Sequence, residues 1–274
     1  VYFCISSHSE LMHSSNPSYC IENPSGSLYI VTDSHLDFDK APFDEFVKML
    51  ESIQDAQVLV CLGDLFKVWL AMPKFWTKNH KRVMEAFRFH REQGAKVVFV
   101  AGNRDKLIPQ GWQDSVHEPF PFTHLSREDW YLKWGGLQLG FIHGDTINTQ
   151  DVSYLRWRFI SNSPVFESLF RIMPCPTARW IANKIESKLA ESNRQFKISF
   201  PDEEVKQFAQ KVLPGVDYYF VGHFHQDLQI QVPGEKGLLR IVPDWLLTRK
   251  VLKLNPEGQL SSLVFQEGVF QETV

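Results

Sequence analysis

Five short apolar runs in this 274-residue chain are each followed, within three residues, by side chains that can bind metal ions. The runs lie at residues 28–31, 58–62, 97–100, 137–142 and 218–221. The polar segments lie at residues 33–35, 63–64, 102–105, 143–145 and 222–225. Because the parallel strands of an α/β sheet end at one edge, oxygen and nitrogen donors that follow several strands converge there. The pattern therefore predicts an α/β enzyme with a site at the carboxyl ends of its strands.

The composition is that of a folded protein, with 43% hydrophobic and 14% aromatic residues. A net charge of -3 gives no basis for nucleic-acid binding, so we expect no nucleic-acid partner. The four cysteines are too few and too irregularly spaced for a disulfide framework, which favours a reduced, cytoplasmic compartment. No apolar run approaches the roughly 18 residues needed to span a bilayer.

The domain organisation is predicted from the shift in composition after residue 27. Residues 1–27 are rich in Ser, His, Asn and Pro and have neither a basic segment nor a long apolar segment. We therefore expect a poorly ordered N-terminal extension there rather than a secretory signal. Residues 28–274 are expected to form one domain, with a helical insertion at about 151–200, and the protein is expected to be a monomer.

Helices and strands alternate along the first part of this domain. Apolar residues at helical spacing predict helices at 43–53, 78–93 and 205–213. The first two helices separate the early strands, as in βαβ units. Gly135 and Gly136 predict a hairpin turn between strands at 130–132 and 137–142. Further strands are predicted at 238–242 and 251–254.

The polar segments supply about as many ligands as a binuclear metal centre needs. The predicted ligands are Asp33, His35, Asp64, Asn103, His143, His223 and His225. Glycines precede three of them, which permits tight turns close to the ions. A single Asp after a strand is more often a turn residue or a helix cap. Five segments in this order, each beside a strand, favour a metal site instead.

The order D-x-H, G-D, G-N, H-G-D, G-H-x-H resembles the signature of the calcineurin-like metallophosphoesterases, from residue 28 to about 250. The resemblance implies a two-sheet β-sandwich flanked by helices, with two divalent metal ions. One ion would be held by Asp33, His35, Asp64 and His225. The other would be held by Asp64, Asn103, His143 and His223, with Asp64 bridging. A metal-bridging hydroxide would then attack phosphorus.

Arg104 narrows the range of leaving groups that the site could serve, because generic members of the family carry a histidine after the ligand asparagine. An arginine keeps its proton near neutral pH, so it is a poor general acid but a good fixed charge for a phosphate oxygen. A leaving group that needs little protonation, such as the phosphate half of a pyrophosphate, suits such a site. The predicted catalytic residues are Asp64, Asn103, Arg104 and His143. The alternative is that Arg104 only forms a structural ion pair with Asp105 or another carboxylate.

A closer resemblance is to the UDP-2,3-diacylglucosamine diphosphatases of lipid A biosynthesis. It is carried by residues 63–69, 102–105 and 143–146, by Thr149, Asp151, Tyr154 and Arg158, and by residues 240–242 with Asp244 and Trp245. It implies a nucleotide-linked glycolipid substrate, Mn²⁺, and peripheral contact with the cytoplasmic face of the inner membrane. It also implies substrate binding by Arg104, Asp151 and Arg158.

The chain departs from the pattern of those diphosphatases at several positions. The departures are Lys67, residues 70–72, Asn148, Gln150 and Phe224. They leave open a binuclear-metal phosphodiesterase or pyrophosphatase that acts on another nucleotide or phospholipid ester. A third interpretation is a non-catalytic metal-binding scaffold, which the complete ligand set disfavours.

The segment after His143 is basic and rich in apolar residues. Residues 151–197 contain eight Lys or Arg against four acidic residues, opposite in sign to the whole chain. Such a stretch predicts a membrane-surface or acyl-chain-binding element. We expect a lid over a hydrophobic cavity that holds acyl chains. The alternative is that these helices only pack on the core.

Overall fold

Two large β-sheets pack against each other, and helices cover their outer faces. The computed structural model describes residues 19–37, 42–192 and 200–273. The strands are β1 (Tyr19–Ile21), β2 (Ser27–Val31), β3 (Ala56–Cys61), β4 (Trp69–Leu70), β5 (Lys96–Val100), β6 (Asp105–Lys106), β7 (His124–Ser126), β8 (Trp130–Trp134), β9 (Leu137–Ile142), β10 (Tyr218–Val221), β11 (Leu228–Gln231), β12 (Leu238–Ile241), β13 (Lys250–Leu254), β14 (Leu260–Gln266) and β15 (Val269–Thr273). The helices are α1 (Pro42–Ser52), α2 (Lys78–Glu92), α3 (Val152–Ser161), α4 (Pro164–Ile172), α5 (Cys175–Ser192), α6 (Asp202–Val212) and α7 (Trp245–Thr248).

The order of the strands brings the predicted ligand segments to one edge of each sheet. One sheet has the order β15-β14-β13-β2-β3-β5-β7, with β2, β3, β5 and β7 parallel. The other has the order β1-β8-β9-β10-β12-β11, with β9, β10 and β12 parallel. The predicted two-sheet sandwich flanked by helices is therefore confirmed.

The central strands bury both faces. Leu28 and Ile30 of β2 pack between the sheets with Phe141 of β9. Tyr29 and Val31 face the opposite layer, where α1 and α2 pack. Because both faces are buried, these strands appear in the sequence as continuous apolar runs rather than as alternating ones.

Residues 19–21, which the sequence analysis places in the N-terminal extension, form a strand instead. Residues 1–18 lie outside the described residues, but β1 pairs in parallel with β8, with Tyr19 opposite Leu132. Backbone pairing with an edge strand therefore makes 19–21 part of the sandwich. The C-terminal hairpin of β14 and β15, which is not among the predicted strands, extends the other sheet.

Asp55 holds the start of β2 to its neighbours. Its carboxylate accepts hydrogen bonds from Ser27 Oγ at 2.7 Å and from the Tyr29 hydroxyl at 2.6 Å, and Lys253 Nζ lies 2.9 Å away. Burial raises the pKa of Asp55, but the hydrogen bonds from these three groups outweigh burial and lower that pKa to about 2. The carboxylate is thus bound in its ionised form.

Helices α3, α4 and α5 form the insertion, and they pack on the segment around β4. Phe170 joins a buried cluster with Leu70 and Phe75. The ammonium of Lys74 donates hydrogen bonds to the carbonyls of Phe170 at 2.8 Å and Met173 at 3.0 Å, where a cation complements the end of α4. Of the basic residues predicted here, Arg194 and Lys197 lie outside the described residues, and so does the side chain of Lys188. Among those described, no helix has the length and apolar character that crossing a bilayer requires.

Candidate metal centre

One group of predicted ligands surrounds Asp33, which follows β2. Asp33 Oδ1 lies 3.5 Å from His35 Nε2 and 3.3 Å from His225 Nε2. The two imidazole nitrogens are 3.1 Å apart. His35 Nδ1 lies 3.9 Å from Asp64 Oδ2, which brings the carboxylate after β3 to the same group. These are the four residues predicted for the first ion.

A second group lies around Asn103, which follows β5. Asn103 Oδ1 is 3.1 Å from His143 Nε2 and 3.0 Å from His223 Nδ1. His143 Nε2 lies 3.6 Å from Asp64 Oδ1. Asp64 thus directs one oxygen toward each group, as a bridging ligand must. Asp33 also approaches this second group, because its ligand atom and those of Asp64 and His143 all lie within 4.8 Å of one another.

A divalent cation fits the buried carboxylate of Asp33. This side chain is 0% exposed. Its Oδ2 accepts hydrogen bonds from Thr32 Oγ1 at 2.7 Å and from the His223 amide at 2.8 Å. Within the described part of the chain, Oδ1 accepts no hydrogen bond. A buried carboxylate oxygen without a donor is costly, whereas a coordinated ion would stabilise it.

The electrostatics of the site also favour positive charge. Burial lowers the pKa of His143, but the carboxylates of Asp64, Asp33 and Asp145 outweigh burial and raise that pKa to about 9. For His223, burial and the adjacent His143 lower the pKa to about 4. The cluster of carboxylates therefore holds an additional positive charge, which metal ions would supply in place of a proton. Imidazole and carboxylate donors suit Mn, Zn or Fe.

The turns that carry these ligands have strained backbones. Five predicted ligands have a positive φ, between 39° and 68°, namely Asp33, His35, Asp64, His223 and His225. Non-glycine residues rarely adopt this conformation, and it concentrates at functional sites. The strain supports a functional role for these turns rather than an ordinary role in capping or chain reversal.

Asp105 joins two of the ligand turns, a role that is not among those predicted from the sequence. Its Oδ2 accepts hydrogen bonds from the amides of Asp64 and Gly102, both at 2.8 Å. Burial and the charge of Asp64 raise the pKa of Asp105 to about 7. The position of Asp105 in the G-N-R-D segment, two residues after a predicted ligand, is the sequence feature that could have indicated this role.

Arg104 contacts the carboxylate of Asp64. Its amide donates to Asp64 Oδ1 at 2.7 Å, and its Nε lies 3.4 Å from Asp64 Oδ2. A terminal guanidinium nitrogen donates to the Lys67 carbonyl at 3.2 Å. The guanidinium is therefore held at the edge of the ligand cluster.

The other two predicted substrate-binding residues lie on the first helix of the insertion. Asp151 caps α3, accepting a hydrogen bond from the Tyr154 amide at 2.9 Å. Arg158 Nε donates to Asp145 Oδ2 at 3.1 Å, and the Tyr154 hydroxyl donates to the same oxygen. The loop that carries His143 is thus tied to α3. This role of Asp145 is not among those predicted from the sequence.

A narrow cleft runs from Arg104 into the insertion. Arg104 and Lys106 line one part of its wall, and Trp157, Phe166 and Phe170 line another. The other lining residues, which include Ile185, are also apolar. Since Arg104 also contacts Asp64, the cleft lies next to the ligand cluster.

Two known bacterial proteins of similar sequence have the same name, and a family model matches most of the chain. A family model described as calcineurin-like phosphoesterase matches residues 26–227. The chain is 26% identical over 238 residues to UDP-2,3-diacylglucosamine hydrolase of Pseudomonas putida (strain W619), covering 84% of this chain and 96% of that protein. It is 28% identical over 246 residues to the enzyme of the same name from Shewanella baltica (strain OS155), covering 86% and 97%.

Among solved structures, vacuolar protein sorting 29 from Cryptosporidium parvum aligns with a TM-score of 0.46 and 11% identity, over 90% of this chain and 95% of that one. The family match covers all the ligand segments, from Asp33 to His225, in the order that the sequence predicted. The chain belongs to the calcineurin-like phosphoesterase family.

Proposed function

We propose that this protein hydrolyses the pyrophosphate bond of UDP-2,3-diacylglucosamine at the α-phosphate, giving UMP and 2,3-diacylglucosamine 1-phosphate. The observation that carries the proposal is the cleft that joins Arg104 to Trp157, Phe166 and Phe170. A substrate with both a diphosphate and acyl chains matches a site with a cationic part and an apolar part. The names of the similar bacterial proteins support the same substrate.

Two divalent ions, Mn²⁺ in this proposal, would be held by the two groups of ligands. The first ion would contact Asp33, His35, Asp64 and His225, and the second would contact Asp64, Asn103, His143 and His223. When bound, such ions supply Lewis acidity, which lowers the pKa of water and neutralises phosphoryl oxygens. Asp64 and Asp33 would supply the negative charge that retains the ions. The backbone amides of Arg104 and His223 donate hydrogen bonds to these two carboxylates and so orient their oxygens.

Arg104 is the group that adapts the site to a pyrophosphate. Its contacts with Asp64 and the Lys67 carbonyl fix the guanidinium beside the ligands. In that position it binds a phosphate oxygen as a permanent charge. The departing sugar phosphate is a stable anion, so the reaction does not need a general acid at residue 104.

The insertion would bind the lipid part of the substrate. Asp151 and Arg158 would contribute to substrate binding at the start of α3, and Trp157 and Phe170 would contact acyl chains. We expect Trp157→Asp to reduce activity on the lipid substrate far more than activity on bis(p-nitrophenyl) phosphate, which has no acyl chain. Equal losses on both substrates would show that Trp157 serves folding instead.

We further propose that the protein is a monomer and that α3, α4 and α5 contact the cytoplasmic face of the inner membrane. Phe159, Val165 and Ile172 are each at least 80% exposed. Exposed basic residues accompany them, including Arg156 and Arg171. Exposed apolar side chains interspersed with cations match an anionic lipid surface. Replacing the three apolar residues with Ser should release the protein from anionic vesicles in a sedimentation assay. Unchanged sedimentation would contradict the proposal.

The decisive experiment measures UMP released from UDP-2,3-diacylglucosamine with and without Mn²⁺. Mn²⁺-stimulated release of UMP would support the proposed reaction. Hydrolysis of the aryl diester alone would indicate a phosphodiesterase with another substrate. Absence of both activities with any divalent metal would indicate a scaffold and refute the proposal. Asp33→Asn provides the matched inactive control, since it removes one buried charge from the ligand cluster.

A further inference from the structure

We propose that Lys74 is a positioning residue that holds α4 against the segment after β4 and thereby fixes the width of the apolar cleft, an inference that rests on the proposed function. The cleft lies between these two parts of the chain. Val68 and Leu70 line it on the side of β4, and Phe166 and Phe170 line it on the side of α4. A contact that fixes the distance between α4 and β4 therefore fixes the room that the cleft offers to an acyl chain.

The ammonium of Lys74 binds the end of α4 at three points. It donates hydrogen bonds to the carbonyls of Phe170 at 2.8 Å, Arg171 at 2.5 Å and Met173 at 3.0 Å. The last carbonyls of an α-helix lack the amide four residues later that would otherwise bind them, and the negative end of the helix dipole attracts a cation. A lysine ammonium has three N–H donors, so this helix end can engage all of them. These contacts attach α4 to the segment that carries Lys74.

The insertion returns hydrogen bonds to the same short segment. Lys74 lies in a single turn of 3₁₀ helix, Pro73–Phe75, soon after β4. The Phe75 carbonyl accepts a hydrogen bond from the guanidinium of Arg179, on α5, at 2.9 Å. The carbonyl of Lys74 accepts one from the Cys175 thiol at 3.3 Å. Side chains of each part therefore bind the backbone of the other, and together they attach both α4 and α5 to the residues that follow β4.

The polar contacts add direction to the apolar packing of α4. Phe170 packs in a buried cluster with Leu70, Phe75 and Ala178, and it also lines the cleft. Burial of apolar surface has no preferred direction, whereas hydrogen bonds require defined distances and angles. Loss of the Lys74 ammonium should therefore loosen α4 and weaken the binding of acyl chains. Because α4 carries none of the predicted metal ligands, the reaction at the ligand cluster should not change.

The test compares Lys74→Met, which removes the charge and keeps the length of the side chain, with Lys74→Arg, which can still donate to the same carbonyls. Hydrogen bonds from a charged group correspond to roughly ten- to hundredfold in binding, and we expect the lower value because Lys74 is exposed. Lys74→Met should raise KM for UDP-2,3-diacylglucosamine about tenfold and leave kcat unchanged, as expected when a contact acts equally on substrate and transition state. Hydrolysis of bis(p-nitrophenyl) phosphate should be unchanged, and Lys74→Arg should retain most of the affinity. Lys206→Met is the matched control, since it removes an exposed lysine that pairs with Glu203 on α6, and it should resemble the wild type.

Two measurements separate this inference from the proposed function. Amide hydrogen exchange needs no substrate, and the amides of α4 should exchange faster in Lys74→Met while those of α1 stay as in the wild type. The lipid 2,3-diacylglucosamine 1-phosphate should inhibit hydrolysis of the aryl diester, with an inhibition constant about tenfold higher in Lys74→Met. Both results are expected even if the wild type does not release UMP from the lipid, an outcome that would refute the proposed function alone. Unchanged exchange in α4, an unchanged inhibition constant, or equal losses on lipid and diester would overturn the role of Lys74.

Discussion

Gly102 provides a sharp test of the geometry of the ligand cluster, because it has no room for a side chain. A methyl group added to its Cα would lie 2.4 Å from Asp64 Oδ1, 2.7 Å from the Asp64 nitrogen and 2.9 Å from His143 Cε1. Ordinary contacts of a Cβ begin near 3.4 Å. Gly102→Ala must therefore move the Asp64 carboxylate or the loop by about 1 Å.

The size of the expected effect follows from this displacement. Asp64 directs one oxygen to each group of ligands, so moving it disturbs both groups. A misplacement of about 1 Å at a catalytic site costs roughly 100-fold in rate. This corresponds to about 2.7 kcal/mol of lost transition-state stabilisation. We expect Gly102→Ala to lower kcat on bis(p-nitrophenyl) phosphate by at least this factor and to weaken Mn²⁺ binding measured by isothermal titration calorimetry.

Gly136→Ala is the matched control, since an added methyl group there meets no atom within 4 Å and its φ is not in the left-handed region. This variant should retain the Mn²⁺ affinity and activity of the wild type. Circular dichroism and thermal unfolding should show that both variants are folded. If folded Gly102→Ala bound Mn²⁺ and turned over substrate within twofold of the wild type, the argument from close approach would be wrong.

Three further predictions concern stability. Tyr154→Phe removes a hydrogen bond to the buried carboxylate of Asp145 and should lower the free energy of unfolding in urea by about 1.5–3 kcal/mol, whereas a change below about 0.5 kcal/mol would contradict this role. The pKa of Asp55 is lowered to about 2 in the fold, so the stability that its carboxylate gives the folded protein is present above about pH 4 and is lost as pH falls toward 2. Asp55→Asn should therefore make Tm less dependent on pH over this range. Burial lowers the pKa of His80 to about 3, so stability should fall as pH drops below about 6.5, when the unfolded chain binds a proton that the fold excludes. His80→Gln, which keeps the capping partner for Thr77, should reduce this dependence in pH-resolved urea titrations.

The clustering of the predicted ligands could be foreseen from the sequence because each of them lies within four residues of the end of the strand that positions it. Asp33 follows β2, Asp64 follows β3, and Asn103 follows β5. Local apolar runs mark the strands, and parallel pairing then brings their ends together. The i, i+2 pair of His223 and His225 was visible for the same reason. For these residues, the strand that precedes each ligand in the sequence also fixes the position of that ligand in the fold.

Contacts between distant segments could not be predicted in this way. No local pattern shows that Lys74 would bind the carbonyls at the end of α4, nearly 100 residues later. The pairing of β1 with β8 likewise joins segments more than 100 residues apart. Such contacts depend on how the elements pack, and a three-residue strand such as β1 has too few residues to show a periodicity.

The backbone of the ligand turns indicates which part of this protein sets its specificity. Asp33 and Asp64 each have a φ of 51°, a conformation that costs about 1–3 kcal/mol for a non-glycine residue. The two turns are held together by hydrogen bonds from the Asp33 amide to the Gly63 carbonyl and from the His35 amide to the Asp64 carbonyl. The fold therefore maintains the positions of the ligands through contacts of its own backbone. Changes to these turns would disturb the metal centre, so we expect adaptation to a particular phosphoester to depend on the residues around it, namely Arg104 and the helices of the insertion.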